Sequence, residues 1–245
     1  MHTLVLDIGN TAIKAGCFAD GLLREALNVQ ADGVPTLLTR WQPQHVVIAS
    51  VAAPAAEWAV RLQPLVPGRV LAFDPATTPG PLTNAYATPA TLGADRLAAA
   101  TGAAGLWPGR NVLIIDAGTA LKLDLATADG RYRGGSIAPG LAMRLRGLHE
   151  FTGRLPLVPL PAPDATVALV GDSTAGSLLS GVVNGTVAEL NGLVAQYQAH
   201  YQQLVVVLTG GDAAFLAPRL VGRIFVVPEL VLLGLYRILA YNVEA

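Results

Sequence analysis

The order of apolar and polar residues along the chain predicts two α/β halves that begin in the same way. Three strand-like segments come first, TLVLDIG, AIKAGCF and LREALNV, and helical and strand-like segments alternate after them. The pattern then starts again with NVLIIDAG, ALKLDLA and RYRGGSIA, of which the first is a continuous apolar run typical of a buried strand. We therefore predict two α/β domains, residues 1–108 and 109–245, with a ligand-binding cleft between them.

The two halves also repeat a chemical motif, since LDIGNTAIK and IDAGTALK share Asp-x-Gly, Thr-Ala and a lysine. In each copy an aspartate ends a strand, and the glycine lets the backbone turn tightly beside a ligand. N–H groups in such a turn can bind phosphate, whereas the carboxylate would repel phosphate unless Mg²⁺ lies between them. The second copy could equally hold a monovalent cation, and either copy alone could be a plain hairpin. The residues concerned are Asp7, Gly9, Asn10, Thr11, Lys14, Asp116, Gly118 and Thr119.

The segment TLGADRLAAA is an apolar helix start that carries an acid and a base side by side. Consecutive residues on a helix do not face each other, so an ion pair between Asp95 and Arg96 does not explain them. We expect each side chain to reach for a different group. The structural alternative makes Asp95 a helix cap and leaves Arg96 solvated. A long Pro- and Gly-rich segment, DPATTPGPLTNAYATPA, leads into this helix, and loops of this length are often functional.

Two glycine-containing segments give weaker signals. GGSIAPG, at 134–140, permits close backbone approach, and LTGGDA, at 208–213, runs from a strand into a helix N-terminus that suits an anion or a nucleotide. Each of them alone could be a plain turn.

Composition narrows the classes of function. The 245 residues are 52% hydrophobic and 13% charged, which predicts a globular protein. The net charge of −1, without a dense basic run, gives no indication of nucleic-acid binding. A single cysteine, Cys17, excludes an intramolecular disulfide and a cysteine-based zinc site, and suits the cytoplasm. No uncharged apolar run reaches about 18 residues, so we expect no membrane partner.

Seven motifs occur in the order found in type III pantothenate kinases, which the chain resembles from residue 3 to about residue 230. The motifs are DIGNTAIKAGCF, LGADR, DAGTALKLD, GGSIAPG, FTGRLP, STAGSLLSG and TGGDA. The resemblance implies the fold of the acetate-kinase/Hsp70/actin superfamily, with two duplicated ribonuclease-H-like domains. It also implies ATP-dependent phosphorylation of pantothenate, the first step of coenzyme A biosynthesis, by a homodimer that needs Mg²⁺ and either K⁺ or NH₄⁺.

The resemblance assigns roles to particular residues. The segment 7–14, together with Thr119 and its neighbour Gly118, would bind the phosphates of ATP, and Asp116 would bind the monovalent cation. Asp95 would accept the proton of the substrate hydroxyl, and Arg96 would bind the pantothenate carboxylate. The residues on the substrate side are Tyr86, Gly93, Ala94, Asp95, Arg96 and, near the dimer interface, Thr174.

The chain departs from the family pattern at two places. The second phosphate loop often reads Gly-Thr-Ala-Thr-Thr, whereas Leu121 and Lys122 replace the two last threonines here. FTGRLP carries Gly153 and Arg154, where alanine and a variable residue are commoner.

Two further functions fit the same fold. One is a kinase with another acceptor, a sugar or a carboxylate, and the other is a non-catalytic transcriptional accessory factor, which the family also includes. Retention of the acidic, basic and hydroxyl residues of the motifs favours an active enzyme.

Overall fold

The computed structural model describes residues 2–9, 12–51 and 54–244 and contains two compact units. Unit 1 consists of Met1–Gly109, Ala126–Gly134 and Glu229–Ala245, and unit 2 consists of Arg110–Leu125 and Gly135–Pro228. The sequence repeat predicts a single boundary at 108/109. The structure differs from this because the last helix and a short hairpin of the second half belong to unit 1.

The described residues form strands and helices in an alternating order. The strands are His2–Ile8 (β1), Ile13–Ala19 (β2), Leu22–Val29 (β3), His45–Ser50 (β4), Val70–Ala72 (β5), Thr83–Asn84 (β6), Val112–Ala117 (β7), Ala120–Thr127 (β8), Arg131–Pro139 (β9), Val205–Thr209 (β10) and Ile224–Val226 (β11). The α-helices are Val34–Trp41 (α1), Ala55–Leu62 (α2), Ala94–Leu106 (α3), Leu141–Glu150 (α4), Thr174–Leu179 (α5), Gly185–His200 (α6), Ala213–Leu216 (α7) and Leu230–Glu244 (α8).

Unit 1 is built on a five-stranded mixed sheet with the order β3-β2-β1-β4-β5. Strands β1, β2 and β3 are antiparallel neighbours, whereas β4 pairs in parallel with β1 and with β5. The central strands β1 and β4 are apolar and buried over most of their length. The edge strand β3 alternates exposed and half-buried residues, as expected for a strand with one face towards water.

Helices α3 and α8 of unit 1 pack together through glycine. A Cβ atom on Gly102 would overlap the carbonyl oxygen of Leu230, and one on Gly234 would overlap that of Ala98. The two backbones can therefore approach this closely only because neither glycine has a side chain. Helix α3 is buried along most of its length, which explains its run of small apolar residues.

Unit 2 contains a sheet with the order β11-β10-β7-β8-β9, in which β10 pairs in parallel with both β7 and β11. Every residue of β10 is buried, in keeping with a parallel strand covered on both faces. The short strand β6 pairs in parallel with residues 131 and 132 of β9, and both partners lie within unit 1.

A long helical run, Thr174–His200, covers 27 residues of unit 2 and includes a π-helical segment at Ser180–Asn184. It is long and apolar enough, by length and composition alone, to cross a membrane. However, its Leu178, Val183 and Leu190 side chains belong to the hydrophobic core of the unit. These three side chains pack as those of a core helix do. The expected lack of a membrane partner stays a prediction.

We predict that Gly234→Ala destabilises the protein by about 1–3 kcal/mol, because the added methyl group forces α3 and α8 apart. Chemical denaturation measures this change in the free energy of unfolding. Gly192→Ala is the matched control, since a Cβ there meets nothing within 4 Å and the residue lies within α6. Equal responses of the two variants would show that the glycine contact does not control the packing of α3.

Candidate functional site

The acid–base pair lies in the first turn of α3. Gly93 is the N-cap residue, with φ −60° and ψ 131°, and as a glycine it has no side chain that could cap the helix. Asp95 is the second residue of the helix, and its Oδ1 accepts a hydrogen bond from the backbone N–H of Arg96 at 2.9 Å. The alternative in which Asp95 is the cap is thus wrong. The carboxylate instead lies at the positive end of the helix dipole.

The guanidinium of Arg96 is removed from water, with only 5% of the residue exposed. Its Cζ lies 5.6 Å from the ring centroid of Tyr86, within the range of a cation–π contact. The Tyr86 ring in turn lies against Tyr132, at 6.0 Å between centroids and an interplanar angle of 45°, and Tyr132 is fully buried. The alternative of a solvated Arg96 is therefore wrong, and the predicted residues Tyr86, Arg96 and Asp95 come together in unit 1.

Gly134 makes room for the Tyr86 ring. Its φ of +86° lies in the left-handed region, and a Cβ there would be 2.8 Å from both Cδ2 and Cε2 of Tyr86. Both the backbone conformation and the contact therefore require glycine. The sequence drew attention to this segment through its Gly-Gly pair, but it did not identify the ring as the partner.

The long loop that carries Tyr86 is held by hydrogen bonds at its start. The backbone N–H of Ala76 donates to Asp74 Oδ1 at 2.8 Å, and that of Asp74 donates to Thr78 Oγ1 at 3.0 Å. Asn84 donates from Nδ2 to the carbonyl of Pro75 at 3.0 Å and accepts at Oδ1 from the N–H of Tyr86 at 3.0 Å. The loop is thus an ordered part of unit 1.

The first Asp-x-Gly turn joins β1 to β2. Asp7 is half-buried near the end of β1, and Lys14 is its cross-strand partner in the register of the pair. The N–H of Gly9 donates to the carbonyl of Ala12 at 3.1 Å, which closes the turn. Asn10 and Thr11, also predicted to bind phosphate, lie outside the described residues. The phosphate-binding role of this turn stays a prediction.

The second Asp-x-Gly turn joins β7 to β8 in unit 2. Its Gly118 N–H donates to the carbonyl of Ala120 at 3.1 Å, and its Thr119 carbonyl accepts from the N–H of Gly140 at 3.1 Å. A Cβ on Gly140 would overlap the carbonyl oxygen of Gly118, so glycine lets the start of α4 pack against the turn.

The carboxylate of this turn, Asp116, has a basic partner that sequence reasoning did not assign to it. Its Oδ2 lies 2.7 Å from the Nζ of Lys122, and the two side chains are 15% and 16% exposed. Gly210, with φ +93°, passes beside the same carboxylate, because a Cβ on it would be 2.6 Å from Asp116 Oδ1. The recurrence of an aspartate and a following lysine in both motifs was the signal that could have identified this pair.

Asp212 follows the second glycine of LTGGDA. Its backbone N–H donates to the carbonyl of Ala117 at 2.9 Å, which fixes this loop against the second Asp-x-Gly turn. Burial raises the pKa of the Asp212 carboxyl above its usual value. Carboxyl groups perturbed in this way are common at functional sites, although they also occur in structural positions.

The remaining predicted residues are at helix starts. Ala94 is the buried first residue of α3, and Thr174 is the exposed first residue of α5. Ser173 caps α5 by accepting at its side chain from the N–H of Gly176 at 3.2 Å.

The predicted site residues are divided between the two units. Unit 1 contains Asp7, Gly9, Lys14, Tyr86, Gly93, Ala94, Asp95 and Arg96, and unit 2 contains Asp116, Gly118, Thr119 and Thr174. Among the described residues, no group of three or more His, Cys, Asp or Glu side chains could hold a metal ion.

Comparison of the sequence with known proteins gives the same family that the motifs of the chain resemble. The family model for type III pantothenate kinase matches residues 3–196 of the chain. The type III pantothenate kinase of Phocaeicola vulgatus is 40% identical over 242 residues, which cover 98% of each protein.

Comparison of the structure gives the fold. A chain from Campylobacter jejuni, described as a Baf family transcriptional activator, superposes with a TM-score of 0.65 at 20% identity, covering 99% of this chain and 100% of that one. The activator of the 2-hydroxyisocaproyl-CoA dehydratase from Clostridium difficile, with bound ADPNP, gives 0.54 at 14% identity, covering 100% and 97%. These likenesses concern the fold alone. They confirm the predicted α/β fold of the actin-like ATPases and sugar kinases.

We predict that Gly134→Ala destabilises the protein by about 1–3 kcal/mol more than Gly130→Ala does. Both glycines have positive φ, +86° and +73°, but a Cβ on Gly130 meets nothing within 4 Å. The difference between the two free energies of unfolding, measured with urea, therefore reports the collision with Tyr86.

The same comparison in a protein without the Tyr86 ring isolates the contact between residue 134 and that ring. In a Tyr86→Ala protein the extra loss of unfolding free energy caused by Gly134→Ala should disappear, because the ring is no longer there. The loss caused by the positive φ at this position should remain. An extra cost that persists without the ring would contradict the role given to Gly134.

Proposed function

The chain belongs to the family of type III pantothenate kinases, and we propose that it transfers the γ-phosphoryl group of ATP to the primary hydroxyl of pantothenate. The product is 4′-phosphopantothenate, and the reaction is the first step of coenzyme A biosynthesis. The structural observation that carries this proposal is the first turn of α3, in which the Asp95 carboxylate is fixed and the Arg96 guanidinium is buried against Tyr86.

The substrate explains why an acid and a base are consecutive at this helix start. Pantothenate has a carboxylate at one end and a primary hydroxyl at the other, so it needs one cationic partner and one proton acceptor. A guanidinium that is largely out of water binds a carboxylate strongly, and its two parallel N–H donors match the two oxygens. The ring of Tyr86 restricts the position of the Arg96 guanidinium, which supports this role.

Asp95 is the proton acceptor in this proposal. Phosphoryl transfer depends mainly on positioning and charge neutralisation, and a base orients the attacking hydroxyl and takes its proton. The hydrogen bond from the Arg96 N–H to Asp95 Oδ1 restricts the carboxylate, which supports a positioned base. Gly93, Ala94, Tyr86 and Thr174 complete the proposed substrate side.

ATP is assigned to the two Asp-x-Gly turns. Backbone N–H groups of tight turns suit phosphate oxygens. The half-buried carboxylate of Asp7 is a hard oxygen ligand that fits Mg²⁺ directly or through water. Mg²⁺, when bound, would neutralise charge on the transferring phosphoryl group. Asp116 is proposed to hold positive charge beside the phosphates, and the phosphate contacts are assigned to Gly9, Asn10, Thr11, Lys14, Gly118 and Thr119.

A homodimer is supported by an apolar surface on unit 2. Leu169 and Val170 are 80% and 81% exposed. Their loop is nevertheless well held, because Ser180 Oγ donates to the carbonyl of Leu169 at 2.6 Å and Ser177 Oγ donates to that of Gly171 at 3.3 Å. Adjacent large apolar side chains that are exposed on a loop whose backbone is held in this way favour a protein interface at this surface.

The position of Thr174 is consistent with that interface, since it begins the helix that anchors the apolar loop. We propose a cytoplasmic enzyme whose partners are small molecules and a second copy of the chain. The net charge of −1 supports the exclusion of nucleic acid, and no membrane partner is proposed.

Asp95→Asn should keep pantothenate binding and slow turnover by about 10²–10⁴-fold, the usual contribution of a general base. ADP release at saturating substrates, together with calorimetric titration of pantothenate, separates the two effects. Asp32→Asn, which removes the same charge at an exposed position of unit 1, is the control. Equal turnover of the two variants would remove Asp95 from the role of base.

Arg96→Lys should raise the KM for pantothenate by roughly tenfold, while the KM for ATP changes little, because a point charge cannot reproduce a two-pronged contact. Pantothenol, which has a hydroxyl in place of the carboxylate, should be a poor substrate of the wild type. In the variant the gap between the two substrates should shrink. Parallel losses for pantothenate and pantothenol would show that Arg96 is structural and that another group binds the carboxylate.

A further inference from the structure

The ion pair between Lys122 and Asp116 is built into the hairpin of unit 2. Both side chains are mostly buried, and Nζ and Oδ2 are 2.7 Å apart. Lys122 lies on β8 between Leu121 and Leu123, which are each 1% exposed. Packing of these two leucines fixes the strand and therefore the origin of the lysine side chain. The pair thus differs from exposed ion pairs, in which two mobile side chains meet in water.

The residues around Asp116 do not fit the additional monovalent cation that the family resemblance implies. The ammonium of Lys122 already lies against Oδ2, and the backbone of Gly210 passes beside Oδ1. A free K⁺ or NH₄⁺ would have to share one carboxylate with a fixed ammonium, and the two like charges would repel each other at short distance.

We propose that the ammonium group of Lys122 takes the place of the monovalent cation beside Asp116, so that this enzyme does not depend on K⁺ or NH₄⁺. An alkylammonium has the charge and the N–H donors of NH₄⁺, and its covalent attachment keeps it at the site whatever salt surrounds the protein. This inference rests on the proposed function, because it concerns the positive charge that accompanies the phosphates in that reaction.

The use of lysine in the chain supports the proposal. The chain has 16 lysine and arginine residues, and two of them, Lys14 and Lys122, are lysines. Each lysine follows an Asp-x-Gly turn: Lys14 is opposite Asp7 in the strand register, and Lys122 is paired with Asp116. Lysine presents a compact point charge where arginine presents a planar fork. A compact ammonium is what a site shaped for a small monovalent cation can accept.

The first experiment exchanges Lys122 for threonine, the residue that the family often has in this part of the loop. Turnover of wild type and Lys122→Thr is measured with pantothenate and MgATP in the chlorides of potassium, ammonium, sodium and choline at equal ionic strength. Wild type should be equally fast in all four salts. Lys122→Thr should lose roughly 10²-fold in choline, as when one electrostatic partner of the reacting group is removed, and should recover with potassium or ammonium.

Arg133→Thr is the matched control for charge removal. Its guanidinium is in an exposed ion pair with Asp129 on a hairpin turn, at 3.4 Å. This variant should behave like wild type in every salt, so that a salt response of Lys122→Thr is specific to the buried pair.

A second measurement does not depend on catalysis. Thermal unfolding with a non-hydrolysable ATP analogue and Mg²⁺ is compared in potassium chloride and choline chloride. Potassium should raise the melting temperature of Lys122→Thr and leave that of wild type unchanged. Adding Asp116→Asn to Lys122→Thr should abolish the response, because the carboxylate that holds the cation is lost.

The outcomes separate the two proposals. If wild type does not phosphorylate pantothenate, the proposed function fails, while the melting measurement still tests the ammonium. Activity or melting of wild type that rises with potassium but not with choline would overturn the inference. So would a folded Lys122→Thr that potassium neither activates nor stabilises. If Lys122→Thr does not fold, Lys122→Met, of similar length and without charge, is measured in the same way.

Discussion

The close crossing of α3 and α8 is the constraint on which the proposed substrate site depends. Gly102 and Gly234 let the two backbones meet without intervening side chains. Helix α3 is thereby held against the C-terminal helix, and its N-terminus, with Asp95 and Arg96, has one position in unit 1. A helix packed through ordinary side chains would lie farther away and carry the acid–base pair with it. The C-terminal helix therefore supports the helix that carries the proposed substrate residues Asp95 and Arg96.

Glycine has a second role, which is to let other segments approach the candidate functional side chains. Gly134 admits the ring of Tyr86, and that ring in turn covers the guanidinium of Arg96. In unit 2, Gly210 lets the backbone pass beside the carboxylate of Asp116. In both units a charged group is thus surrounded closely enough to lose much of its water, and removal of water strengthens its interaction with a charged ligand.

The sequence predicted most strands and helices because their apolar patterns are strong and their ends are marked by glycine, proline and aspartate. It missed β6, a two-residue strand that depends wholly on its partner in β9. It also assigned the C-terminal helix to the second half, because the contact of Gly234 with α3 leaves no local pattern. Similarly, Lys122 stood out as a departure from the family, but its pairing with Asp116 is a contact across the hairpin. Contacts of this kind depend on the folded chain.

The identity of the reaction is tested most directly by ³¹P NMR of the purified protein with MgATP and pantothenate. The family membership, together with Asp95 and Arg96 at the start of α3, predicts a new phosphomonoester signal that grows as the γ-phosphate signal of ATP declines. That signal should be split by the two protons of the methylene group next to the primary hydroxyl. ATP that stays unchanged, or that releases only inorganic phosphate whether or not pantothenate is present, would contradict the proposal that this chain is a pantothenate kinase.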